Sequence, residues 1–271
     1  MKADLVMWAK NGASPLRQVL KRAREVLPSE VIENRIFVDD HSTDDSVDIA
    51  KAYGWTIYEN KHGGIASGIN IALSHVRSEF FISLEQDLVL ANDWFKKIPE
   101  HMKDPQVIAA AGIRFPSDPI LAKLHEVWLE KYHYKQTGID NTLWRTRPFK
   151  EIVGCIPEYL RYGAADSYIG IRMGKTNYKG IVDSNVVSLH LRLGGLKEEV
   201  NRHYLMGSMA PRKKAEYILN TTNLEAFRLA IFSPLRGIQV AIKKNCPQIA
   251  YYYPLLRFAF LKGAVERKPS I

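Results

Sequence analysis

Short apolar runs alternate with stretches of helical period from the start of the chain, and this alternation limits the possible folds more than any other feature. Residues 4–9 (DLVMWA) read as a buried strand, after which Leu16, Val19, Leu20, Ala23 and Val26 recur at helical spacing behind Pro15, a residue suited to a first helical turn. The cycle continues with a strand at 35–38 and a helix at 43–53, then a strand at 55–58 and a helix at 65–76. Strands at 80–84 and 107–113 follow, with a further helix between them. Strands joined by such helices pair in parallel through right-handed crossovers, leaving helices on both faces. The expected class is therefore α/β with a mostly parallel central sheet. Residues 114–165 lose the rhythm and collect aromatic and basic side chains, among them Trp128, Trp144, Arg145 and Arg147, as an acceptor-side region would. A helix at 167–174 and a strand at 178–191 complete the expected core.

At 271 residues, 46% hydrophobic and 25% charged, the chain can bury a sizeable core, and the disordered, collagen-like and disulfide-stapled classes are excluded. Cys155 and Cys246 stand alone, with no CxxC and no zinc-type cluster, so both thiols are expected reduced. The apolar stretch before Lys10 is too short for a signal-peptide core, and the expected location is cytoplasmic. The net charge of +9 is unevenly placed, with +8 on residues 205–271 and +1 on residues 1–204. This asymmetry suggests a nearly neutral domain at 1–204 and a basic C-terminal region at 205–271 whose partner is anionic, either a membrane surface or a nucleic acid.

Ligands of open α/β sheets bind beyond the carboxyl ends of the strands, so acidic residues there are informative. Asp39 and Asp40 follow one strand and lead into HSTDDS. Capping of the next helix by Ser42 or Thr43 would account for that run but not for the adjacent Asp pair, which suits donor binding. Glu85 and Asp87 follow the strand at 80–84, and an i, i+2 pair on extended backbone projects to one side. Two such carboxylates can share Mg²⁺ or Mn²⁺ completed by substrate phosphates; the alternative is a solvated strand-end turn.

With these residues in view, the chain resembles the family 2 glycosyltransferases of GT-A fold over roughly residues 4–192. The resemblance rests on VDDHSTDDS (38–46), ENKHGGIASGINIAL (59–73), FFISLEQDLVL (80–90) and GAADSYIGIRMGKTNYKGIVDSNVVSLH (163–190), in that order. It implies a metal-dependent, inverting transfer from a nucleotide-sugar. Asp39 and Asp40 match the acidic pair that contacts base and ribose, and the donor-binding set implied is Ala9, Asn11, Asp39, Asp40, Gly64, Gln86, Asp87 and Arg202. Glu85, Gln86 and Asp87 occupy the DxD position, whose last Asp ligates Mn²⁺ or Mg²⁺. His190 matches a His that completes the metal site in some members, and Asp166, with Arg172 six residues on, matches the general base. Three positions depart from the family pattern: Glu85 replaces the first Asp, Ala165 stands where Glu often precedes the base, and Trp8 stands where the first strand usually ends in Pro.

The chemistry has physical grounds. A divalent ion offsets the charge of the diphosphate leaving group, and Asp166 can take the acceptor's proton from the opposite side, which inverts the anomeric centre. The competing roles are an N-cap for Asp166, a structural strand-end His for His190, and core packing for Trp128 and Trp144. Gly194 and Gly195 open a polar stretch, 194–214, read either as a lid that brings Arg202 or His203 to the diphosphate or as a static linker.

In the tail, Leu224, Phe227, Ile231, Leu235, Ile238 and Ile242 are spaced 3, 4, 4, 3, 4, with Pro234 expected to kink or split the helix near Ser233. A second apolar segment, 249–261, contains Arg257, and neither reaches the ~20 apolar residues of a membrane span. These C-terminal amphipathic helices suit an anionic membrane surface, or packing on the catalytic domain. The absence of QxxRW favours single-sugar transfer over polymer synthesis. The expected activity is thus transfer at the cytoplasmic membrane face, the protein peripheral on the inner side, to a polyprenyl-phosphate or other lipid-linked acceptor. A soluble glycan or small-molecule acceptor is the alternative. A nucleic-acid-binding module is disfavoured because the tail supplies no recognition motif, and a nucleotidyltransferase because only Gly12 follows the first strand where a Gly-rich phosphate loop is needed.

Overall fold

The computed structural model describes residues 1–132, 138–160, 165–191, 194–209 and 223–266. In chain order the elements are β1 (Ala3–Ala9), α1 (Ala13–Val26), β2 (Ile32–Asp39), α2 (Ser46–Ala52), β3 (Thr56–Glu59), α3 (Ile65–His75) and β4 (Phe80–Glu85). Then come β5 (Leu88–Val89), α4 (Trp94–His101), β6 (Val107–Pro116), α5 (Pro119–Tyr132), β7 (Thr142–Arg145), α6 (Thr146–Val153), α7 (Ala165–Gly174) and β8 (Lys179–His190). Four helices follow: α8 (Gly195–Met209), α9 (Asn223–Ile231), α10 (Ser233–Lys243) and α11 (Ile249–Val265). The chain divides into two compact units, Met1–Phe115 with Tyr134–Leu191, and Pro116–His133 with Arg192–Ile271.

The first unit is built on a sheet in the order β3-β2-β1-β4-β7-β6-β8-β5. β3, β2, β1 and β4 run parallel, as the strand–helix rhythm implies. The interior of β1 and most of β4 are buried, which explains their continuous apolar runs. Two fully buried polar residues lie within those runs, Asp4 on β1 and Ser83 on β4. Asp4 is fully buried and accepts hydrogen bonds from the Arg77 and Ser78 amides, the Ser78 hydroxyl and the Asn34 amide.

Residues 114–165 hold more regular structure than their sequence suggests. β7 inserts between β4 and β6, antiparallel to both, and α6 follows it directly. A four-residue strand is too short to display a period. Trp144 on β7 is fully buried, 4.7 Å from the Phe149 ring centre, and its indole N–H donates to the Ser83 hydroxyl. It is therefore a core residue; the Trp128 side chain lies outside the described residues.

In the second unit, α5 packs with α10 and α11 through Leu121, Leu124, Val240, Ile249 and Leu256. The crossing of α8 and α11 is governed by two glycines. A Cβ at Gly263 would stand 1.9 Å from the Tyr204 carbonyl oxygen, and one at Gly207 would stand 2.0 Å from that of Phe260. The stretch read as lid or linker is helix α8 over Gly195–Met209, while residues 210–214 lie outside the described set. Pro234 sits in the first turn of α10, just after α9 ends, as its missing N–H requires. Among the described residues no helix is long and apolar enough to cross a membrane.

Candidate active site

Strand order in the sheet reverses at β1, with β2 and β3 added on one side and β4 on the other, so the crevice beyond the carboxyl ends of β1 and β4 is the topological switch point. Register brings the functional residues to one level there: Ala9 lies beside Asp39, and Trp8 beside Glu85.

Glu85 ends β4 and Asp87 follows in the turn to β5. β8 then pairs antiparallel with β5, setting His190 opposite Leu88, and the Leu191 amide donates to the Asp87 carbonyl. This pairing carries a residue a hundred positions downstream into contact with the carboxylates. His190 Nε2 lies 3.0 Å from Asp87 Oδ2 and 3.6 Å from Glu85 Oε2. The His190 ring is buried, the carboxylates are half-buried, and one donor atom from each residue falls within 4.8 Å of the others. His190 Nε2 has no hydrogen-bond partner of regular geometry among the described residues. A buried nitrogen so placed, converging with two carboxylate oxygens, fits a divalent cation. Ligands about 2.1 Å from an octahedral ion sit roughly 3 Å apart along each edge, close to the His190–Asp87 separation. The Glu85 oxygen is set wider.

The other residues expected to bind the donor form a network across the ends of β1 and β2. Asp40 Oδ1 accepts from the Asn60 side-chain amide at 3.0 Å and from the Gly64 amide at 3.0 Å, and Lys10 Nζ stands 3.7 Å from Asp40 Oδ2. Gly64 (φ 86°) supplies a left-handed backbone at the start of α3 that side chains rarely adopt. The Asp40 amide donates to the Ala9 carbonyl. The Asp39 carboxylate accepts from the Ser42 amide. Asn11 (φ 49°) receives the Thr43 amide on its Oδ1 and gives its own amide to the Ser42 hydroxyl. Ser42 and Thr43 therefore tie two loops together, and neither caps α2. Gln86 holds the β1–α1 loop: its Oε1 accepts from the Lys10 amide at 2.8 Å and its Nε2 donates to the Lys10 carbonyl at 3.2 Å.

Asp166 lies in the first turn of α7, and its Oδ1 accepts from the Ile139 amide at 2.7 Å. Its partner is a remote loop, where an N-cap would bond its own helix. The Ile139 carbonyl in turn receives the Ser83 hydroxyl, so one residue links Asp166 to β4 two positions before Glu85. Asp140 is buried and paired with Arg114, and Thr142 Oγ1 donates to the carbonyls of this same turn. Arg172 Nε donates to the Ile152 carbonyl, which fixes α7 to α6. Arg202 belongs to the second unit, on α8, where its guanidinium binds the buried Glu199 at 2.5–3.2 Å.

A family model described as glycosyl transferase family 2 matches residues 4–155. The chain belongs to glycosyl transferase family 2. Comparison with curated proteins by sequence finds no match. Among solved structures, this glycosyltransferase is similar to the mannosyltransferase PcManGT from Pyrobaculum calidifontis, solved with GDP-Man and Mn²⁺, at 17% identity and TM-score 0.67, covering 98% of this chain and 86% of that one. It is also similar to S. aureus TarS 1-349, at 13% identity and TM-score 0.57 over 98% and 91% of the two chains, and to the same fragment in complex with UDP-GlcNAc, at 11% identity and TM-score 0.55. These likenesses show the GT-A fold.

Two supporting parts of the family 2 site escape sequence reasoning. Asn60, which holds Asp40, is one polar residue within a quoted motif and carries no signal of its own. The turn at 138–142 positions Asp166 and does carry one, since Gly-Ile-Asp-Asn is turn chemistry and Asn141 has φ 55°.

Proposed function

We propose that this glycosyltransferase moves a single sugar, with inversion, from a nucleoside-diphosphate sugar to the hydroxyl of a lipid-linked acceptor at the cytoplasmic membrane face. The observation that carries the reading is the convergence of Glu85, Asp87 and His190 at the switch point. Asp87 and His190 hold Mn²⁺ or Mg²⁺, with Glu85 at wider range. The ion supplies charge neutralisation for the departing diphosphate. Asp39 and Asp40 receive the base and ribose, at the ends of strands whose register already sets them beside Ala9. The Gln86 clamp keeps Lys10 and Asn11 in place, so little loop ordering remains to be done on binding. Asp166, oriented by the Ile139 amide, takes the acceptor proton at its carboxylate. GDP-Man and UDP-GlcNAc, held by the two similar proteins, define the donor classes to try first. The lipid acceptor is supported by the cationic 205–271 region.

The test is a thermal-shift screen of UDP-, GDP- and dTDP-sugars with and without Mn²⁺. One donor should raise the melting temperature only with metal, and Asp87→Ala should abolish that shift. A variant that binds the donor with unchanged metal dependence overturns the assignment.

A further inference from the structure

The tail stripe faces outward. Leu224, Phe227, Ile231, Leu235, Ile238 and Ile242 are each between 49% and 77% exposed. The face turned into the second unit carries mostly small residues, Ala226, Ala230, Ser233, Gly237 and Ala241, with Val240 among them. This inverts the usual amphipathic arrangement, and α11 accounts for it: a Cβ at Gly237 would already stand 3.1 Å from the Ala250 carbonyl oxygen, leaving room only for small groups.

The stripe is continuous across the break between the helices. The Phe232 amide donates to the Arg228 carbonyl and the Arg236 amide to the Phe232 carbonyl, so helical register persists through Pro234. At 100° per residue the six positions share an arc of about 80°. Arg228, Arg236 and Lys243, all exposed, run along one edge of it together with Glu225, which leaves that edge with a net charge of +2. Within residues 224–266 the acidic residues are Glu225 and Glu266, against six Lys and Arg.

We infer that this face of α9 and α10 docks on an anionic lipid bilayer, the stripe entering the acyl boundary and the basic edge meeting the headgroups. Charge decides between occupants. A two-fold pair of this chain with antiparallel helices would press each patch on its own copy and bring one cationic edge against another, and neither two-fold arrangement offers the edge an anionic surface, whereas anionic headgroups complement it. The inference rests on the membrane-face reading above and gives that reading its surface.

The full chain is sedimented with vesicles of phosphatidylcholine containing 30% phosphatidylglycerol, and with phosphatidylcholine alone. Expected are retention on the anionic vesicles, at least tenfold weaker retention on the neutral ones, and loss with rising NaCl. Leu235→Glu with Ile242→Glu should cut retention at least tenfold while Mn²⁺-dependent nucleotide-sugar binding stays unchanged. Arg228→Glu with Arg236→Glu, confined to exposed charges, should remove the preference for phosphatidylglycerol and guards against misfolding of the first variant. Wild-type protein that stays in the supernatant, or stripe variants that sediment equally, overturn the docking surface and leave the enzyme reading standing; loss of nucleotide-sugar binding with retained sedimentation does the reverse. Concentration-dependent dimers dispersed by Leu235→Glu, without vesicle retention, would assign the face to a second copy and also overturn it.

Discussion

Replacing Asp166 by Asn separates its chemical role from its structural one. The carboxylate receives the Ile139 amide at 2.7 Å, a charge-assisted hydrogen bond. Asn keeps an oxygen for that amide, so the bond weakens from charged to neutral, a loss on the order of 1 kcal/mol, or a melting temperature lower by roughly 2–4 °C. With its oxygen so engaged, Asn turns an NH₂ toward the space where Asp166 offers its second oxygen, and an NH₂ cannot take a proton. Loss of a general base costs about 10²–10⁴ in rate, or roughly 3–5.5 kcal/mol of transition-state stabilisation. Asp166→Ala leaves the Ile139 amide without its acceptor and should cost ~1–3 kcal/mol of stability in addition. The assay is release of nucleoside diphosphate at saturating donor and Mn²⁺, with a membrane lipid extract as acceptor source, alongside thermal unfolding of each variant. Turnover of Asp166→Asn within threefold of wild type would refute the base, and an Asn variant as destabilised as the Ala variant would refute the retained hydrogen bond.

Gly263→Ala should lower stability by about 1–3 kcal/mol, although Ala in place of Gly inside an unobstructed helix gains nearly 1 kcal/mol, because its Cβ meets the Tyr204 carbonyl at 1.9 Å; a rise in the urea midpoint would contradict the close crossing. Burial, reinforced by the Arg202 and Arg257 cations and opposed by Glu199, lowers the His203 pKa to about 4. With an unfolded value near 6.5, His203 leaves stability unchanged above that pH and withdraws ~1.4 kcal/mol per unit between 6.5 and 4, roughly 3 kcal/mol in all, as the unfolded chain takes up the proton first. Urea unfolding from pH 7 to 4.5 should show a shallower acid loss in His203→Gln, and parallel curves would rule this out. Gln86→Ala removes both bonds to Lys10 and should weaken donor binding about tenfold, ~1.4 kcal/mol, read by titration with the nucleotide-sugar found in the screen. Unchanged affinity would make the clamp dispensable.

Residues 4–113 were legible, apart from the two-residue β5, because each strand buried on both faces must be apolar throughout, and each crossover helix must show one apolar stripe. The carboxylates at 39–40 and 85–87 were legible for a related reason, since charge immediately after a buried strand marks its carboxyl end. β7 was not, because four residues inserted antiparallel between β4 and β6 satisfy a pairing requirement of distant strands and leave no local period. α8 hid behind Gly194 and Gly195, which read as hinge residues although Gly195, at φ 53°, opens a helix.

The local sequence by itself determined which residues are apolar, where charge interrupts them, and therefore the α/β class, the acidic strand ends and a one-sided stripe in the tail. Only the tertiary structure decided that His190 meets Asp87, through the β5–β8 ladder, and that Asp166 bonds Ile139 in place of its own helix. It also decided that the stripe of α9 and α10 faces outward. Periodicity reports that one side of a helix differs from the other, but which side is buried depends on how closely a neighbouring backbone approaches, and against α11 that side is mostly Ala, Ser and Gly, with Val240 its bulkiest member.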